Sequence, residues 1–156
     1  IEYARTLGLT ADDGSIEGMS AIPFLVDFGD GTPPLARAIY QVTPEGYASF
    51  GGDMPVGATL AIGSLDYNDV IESALTTTKS ALETGKENGM LLFPCLSRNL
   101  ALGGDVTAEL KKIHDTLGGR VPHMAAYSGG EICPVYGPDG TPVNRFHNFT
   151  FIACVF

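Results

Sequence analysis

The sequence predicts an α+β domain, a largely antiparallel sheet with an N-terminal four-strand meander and two main helices packed on it. Two segments repeat their apolar residues at helical spacing, and the other apolar runs are short and closed by Gly, Pro or Asp turns. No internal repeat or linker interrupts the 156 residues, and 44% hydrophobic content suffices for one buried core, so residues 1–156 read as a single domain.

The elements follow in order. IEYARTLGL (1–9) reads as a short helix with Ile1, Ala4 and Leu7 on one side, and ADDGSIEG as a polar loop. IPFLVDF (22–28) has the length and residue types of a buried strand and ends at the turn GDGTPP. ARAIYQVT (36–43), YASF (47–50) and ATLAIG (58–63) continue the meander through tight turns. LDYNDVIESALTTTKSALETGKEN then spaces Val70, Ile71, Ala74, Leu75, Thr78 and Leu82 as a helix, with Asp66, Asn68 or Asp69 as N-cap and Gly85 or Gly89 beyond its end. GMLLFPC (89–95) is a central strand. DVTAELKKIHDTLGG is a second helix, with Val106, Leu110, Ile113 and Leu117 facing inward and glycines at its end. VPHMAAYS, GEICPVYG and HNFTFIACVF are strand-like.

The net charge of −9, with nine Lys and Arg in all, offers no basic stripe for phosphates and disfavours nucleic acid and anionic membranes as partners. No run of about 18 apolar residues predicts a membrane span. Three cysteines, Cys95, Cys133 and Cys154, show no CxxC spacing and read as free thiols of a reducing cytoplasm rather than disulfide or zinc ligands. A start at Ile1 without a signal-peptide pattern reads as a fragment of a larger protein.

Three stretches are candidates for chemistry. FPCLSRN (93–99) lies at the exit of the central strand, where ligand sites gather; Arg98 has the planar fork that suits a carboxylate, or else forms a surface ion pair while Cys95 fills the core. In AAYSGGEICPVYG (125–137), Glu131 follows two glycines. Either the glycines let a ligand approach and Glu131 accepts from its ammonium or hydroxyl, or they form a bulge and Glu131 meets solvent, Arg98 or Arg145. NRFHNFT (144–150), at the start of the last strand, clusters Asn144, His147, Asn148 and Thr150, with Asn148 and Thr150 on the face of Phe146; His147 is satisfied by backbone or takes part in a site. His114 lies on a polar helix face and reads as solvated. No nucleophile elbow, phosphate-binding glycine loop or paired metal-ligand spacing is present, so no enzyme, metal or cofactor is expected.

MPVGATLAIG, GMLLFPCLSRNLALG, AAYSGGEICPV and RFHNFTFIACVF together resemble the C-terminal part of FIST (F-box and intracellular signal transduction) domains. The matching positions are Cys95, Arg98, Tyr127, Gly130, Glu131, Ile132, Pro134, His147, Asn148 and Thr150. The resemblance implies a cytoplasmic sensory domain for a small polar metabolite such as an amino acid, coupled to outputs such as histidine kinase or chemoreceptor-like modules. It implies a ligand site drawn from Cys95, Arg98, Tyr127, Glu131, His147 and Asn148, with Arg98 on a carboxylate, Glu131 on an ammonium, and His147 and Asn148 fixing orientation. It also implies an N-terminal half, absent here, without which a ligand site shared between the halves would be incomplete. The alternatives are a structural or interaction module without ligand, and a cysteine-dependent enzyme centred on Cys95.

Overall fold

The computed structural model describes residues 2, 6, 22–43, 45–85 and 88–156. Of the helix expected over 1–9, Glu2 and Thr6 are helical; its other residues and the loop after it lie outside the described residues. The elements are β1 (Phe24–Asp27), β2 (Leu35–Arg37), β3 (Ile39–Val42), β4 (Ala48–Phe50), β5 (Thr59–Ile62), α1 (Tyr67–Leu82), β6 (Met90–Pro94), α2 (Leu96–Ala101), α3 (Val106–Leu117), β7 (His123–Ala125), β8 (Glu131–Tyr136), β9 (Pro142–His147) and β10 (Phe151–Val155). The class is α+β, with antiparallel pairing dominant.

The central sheet has the order β10-β6-β7, antiparallel on the β10 side and parallel on the β7 side. Met90, Leu92 and Pro94 alternate into one buried face of β6, as its period of two requires. That face meets Ala74 of α1 and Ile113 and Leu117 of α3 in the main core, with Phe151, Ala153 and Val155 packed beside it. Asp66 caps α1 by accepting from the Asn68 and Asp69 amides, and Asp105 caps α3 by accepting from Thr107 N–H at 2.8 Å. Gly118, at φ 58°, closes α3 in the left-handed conformation that a β-carbon disfavours.

The other sheets are smaller: β2-β1-β5, and the hairpins β3–β4 and β8–β9. The segment expected to form a four-strand meander contains five strands divided between the β2-β1-β5 sheet and the β3–β4 hairpin, because the run over 36–43 breaks at Ala38. The Ala38 N–H leaves the ladder to donate to the Asn148 side chain at 3.0 Å. Further along, the run expected to form one last strand is two. His147 ends β9, Phe149 takes a left-handed φ of 63°, and β10 begins at Phe151. Asn148 and Thr150 therefore lie in a turn rather than on one strand face with Phe146.

One inward assignment also changes. Val106 is 54% exposed at the start of α3, whereas Glu109, not among the residues expected to face inward, is 0% exposed. The loop expected after Cys95 is the short helix α2, whose polar Ser97, Arg98 and Asn99 are buried while Leu96 and Leu100 face out. This inverted amphipathicity hides the helix from a reading based on apolar spacing.

Candidate functional site at the exit of the central strand

The exit of β6 is held from both sides by backbone. Cys95 N–H donates to Thr150 O at 3.0 Å on the β10 side. On the β7 side, Leu96 N–H donates to Ser128 O at 2.8 Å and Ser128 N–H to Pro94 O at 2.9 Å. These bonds bring the segment after β7 and the turn before β10 to the same strand end, although 22 positions separate Ser128 from Thr150 in sequence. Two polar groups form there.

The first centres on Glu131, the opening residue of β8 and only 5% exposed. Its Oε1 accepts from the Ser128 hydroxyl and its Oε2 from the Thr150 hydroxyl. Among the described residues, no Lys, Arg or His lies within ion-pairing distance of it. The expected alternatives of solvent, Arg98 or Arg145 as its partner are replaced by two neutral donors: Arg98 pairs with Glu109, and Arg145 with Asp30. Gly130 precedes Glu131 at φ 149°, and a β-carbon there would lie 2.1 Å from the Phe146 ring, so the backbone approaches β9 as closely as glycine permits.

Around this carboxylate stand Cys95, Tyr40, Asn148 and His147. Cys95 is 0% exposed, and burial pushes its thiol up; amides of Ser97 and Phe149 partly oppose that, and the Glu131 charge adds to it. The Tyr40 ring is exposed, but its hydroxyl donates to Gly129 O at 3.3 Å. Desolvation of that end raises the phenol, with Cys95 and Glu131 as further causes. A β-carbon on Gly51 would come within 2.7 Å of both Tyr40 Oη and Asn148 Oδ1, so these two polar tips converge over Gly51. Asn148 is buried and committed to Ala38 N–H. His147 is paired with Glu131 in the β8–β9 register, but its Nε2 turns to Cys133 O at 3.2 Å, a backbone partner.

The second group centres on Arg98, which is 4% exposed. Its Nε and Nη2 donate to Glu109 Oε1 at 2.9 and 2.6 Å, Nη2 also reaches Val70 O at 2.5 Å and Ser73 Oγ at 3.1 Å, and Nη1 donates to Phe149 O at 3.1 Å. One guanidinium thereby ties α2 to α1, α3 and the 148–150 turn. The expected role on a ligand carboxylate is not what these contacts support, because Glu109 already fills the fork. The surface ion pair offered as the alternative is a buried one.

Tyr127 belongs to this second group. Burial raises its phenol, the Glu109 charge adds to the shift, and the neighbouring Asn99 opposes it. Its hydroxyl, Asn99 Nδ2 and Glu109 Oε2 have no hydrogen-bond partner. The six expected residues are therefore divided. Cys95, Glu131, His147 and Asn148 surround the first group, and Arg98 and Tyr127 form the second. Thr150 came from the candidate stretch NRFHNFT, whereas Tyr40, Ser128 and Glu109 complete the two groups without having been assigned to a site from sequence. Only Ser128 carried a local signal, three residues before Glu131 in YSGGE.

Among the described residues, no three His, Cys, Asp or Glu side chains gather as metal ligands, and no helix is long and apolar enough to cross a membrane. Neither curated proteins nor solved structures provide a match to this chain. The model of one family, the FIST C domain, matches residues 2–134, which include both helix-forming segments, the β6 exit and Glu131. The chain belongs to the FIST C domain family, a family associated with signal transduction.

Proposed function

We propose that this domain is the ligand-sensing part of a signalling protein and that Glu131 reads a cationic group, such as the ammonium of an amino acid or a related small amine. The observation that carries the reading is a buried carboxylate held by two hydroxyls with no counter-cation among the described residues. Desolvating a carboxylate is costly unless charge or hydrogen bonds compensate. Two hydroxyl donors leave acceptor capacity on both oxygens, which an ammonium with three donors would use. Tyr40, exposed along its ring and anchored at its tip, stands beside this carboxylate as a wall for the ligand.

The carboxylate end of an amino acid has no assigned holder, since Arg98 is engaged within the fold. The amine thus defines the ligand class. A cytoplasmic setting and coupling to kinase-like or chemoreceptor-like outputs belong to the same proposal and rest on the family alone. Titration calorimetry against amino acids and small amines tests it. A binder should lose at least tenfold affinity in Glu131→Gln and keep its affinity in Arg98→Lys. Affinity unchanged by Glu131→Gln would overturn the assignment.

A second reading, a bracing role without ligand, is favoured by the same two hydroxyl contacts, which join β8 to the 128 and 150 segments. Under it, Glu131→Gln lowers the melting temperature and no member of the panel binds. Cysteine catalysis finds less support. The Cys95 thiol is buried and raised, the opposite of an activated nucleophile, and His147 is turned to a carbonyl.

A further inference from the structure

We infer that His114 and His123 form a zinc site at the opposite end of the central sheet from Glu131. His123 opens β7 and is paired with Met90 at the start of β6, whereas the candidate ligand site lies beyond Pro94 at the end of β6. His114 comes from the last turn of α3. The two rings meet with Nδ1 of His114 3.3 Å from Nε2 of His123. Nine positions apart and on different elements, they show none of the sequence spacings that mark a metal motif.

Three features favour a metal over a simple contact. First, His123 Nδ1 faces the Val121 carbonyl at 3.0 Å. A carbonyl only accepts, so Nδ1 carries the proton and Nε2 presents its lone pair, the orientation that an outer-shell carbonyl gives a metal-ligating histidine. Second, the spacing suits zinc. Two nitrogens about 2.05 Å from one ion at a tetrahedral angle lie about 3.3 Å apart, against about 2.9 Å at the right angles of square or octahedral ions. As an N–H···N hydrogen bond, 3.3 Å is long. Third, the electrostatics favour a cation: the chain carries a net charge of −9, and His114 lies in the last turn of its helix, where carbonyl ends accumulate negative potential.

Among the described residues, no third side chain completes a cluster, so water fills the remaining positions. Binding needs no net loss of protons from a neutral pair, only the right tautomer on each ring. A hydrogen on Nδ1 of His114 moves, by exchange with solvent, to Nε2 of the same ring, so that Nδ1 of His114 and Nε2 of His123 both offer lone pairs to the ion. The ion would clamp the end of α3 to β7. Since α3 also carries Glu109, the partner of Arg98, zinc would stiffen the helix that anchors the second polar group.

Calorimetry with zinc chloride on the 156-residue chain tests this. We expect one zinc per chain, at least tenfold weaker binding in both His114→Gln and His123→Gln, and unchanged binding in Cys154→Ser, which removes the exposed thiol. In the unaltered chain, zinc should move the nitrogen resonances of His114 and His123 while leaving those of His147 in place, a readout that does not depend on the variants folding. Absence of binding up to millimolar zinc, affinity unchanged in either histidine variant, loss confined to Cys154→Ser, or shifts at His147 instead would each overturn the site.

Discussion

The two polar groups at the exit of β6 use the same kind of residue in opposite ways. Glu109 is a carboxylate closed by a guanidinium, and the pair is further tied to Val70, Ser73 and Phe149. Glu131 is a carboxylate of similar burial closed by hydroxyls only. A charge pair whose fork is full is an internal staple between helices. A carboxylate held only by neutral donors is, under the proposed function, the one left to meet an external cation. Burial alone does not separate these roles; the partner does.

The sharpest break in the comparison is Glu109→Ala. It strands a buried guanidinium, and urea unfolding should register a loss of about 3–5 kcal/mol. The paired replacement Arg98→Met with Glu109→Leu should recover most of that loss, since removing both charges removes the desolvation they share. Smaller is the effect of Gly130→Ala. Its β-carbon meets the Phe146 ring, and overpacking of this kind costs about 1–3 kcal/mol in the same measurement. Glu131→Gln retains an acceptor for one hydroxyl and should cost about 1 kcal/mol, while ligand affinity falls at least tenfold. A stability loss comparable to that of Glu109→Ala would make the two groups alike and remove the contrast.

The smallest expected effect is on pH dependence. Burial raises Cys95 in the folded chain, and burial likewise raises Tyr127. The folded state therefore holds these protons more tightly than the unfolded state does. Their contribution is complete below about pH 8.5 for a free thiol and about pH 10 for a phenol, and it is lost as pH rises through the folded values. Urea midpoints should fall from pH 8 towards pH 10, with a shallower slope in Cys95→Ala. At neutral pH, iodoacetamide should label the exposed Cys154 well before Cys95.

What was legible in the sequence had a local physical cause. The helix periodicity, the Asp66 cap, the Gly118 stop and the apolar β6 run each follow from a few adjacent residues. Glu131 also stood out locally, because two glycines before an acid on a strand are unusual in composition. The rest depended on distant partners. Ala38 breaks its strand for an amide 110 positions away, and Arg98 turns inward because Glu109 waits on the next helix. Glu109 in turn displaces the apolar pattern that made Val106 look buried. Tyr40, 89 positions from Gly129, had no signal at all.

The place of β10 has a consequence for the order in which the chain folds. Its five residues, Phe151–Val155, form one flank of the central sheet, pairing Phe151 with Pro94 and Val155 with Met90. During synthesis β6 emerges long before this flank exists, and contacts so far apart in sequence close slowly. Until β10 arrives, an apolar strand keeps one edge open to neighbouring nascent chains. A chain stopped after Asn148 should accordingly aggregate, even though it retains the helices and every residue matched by the family model.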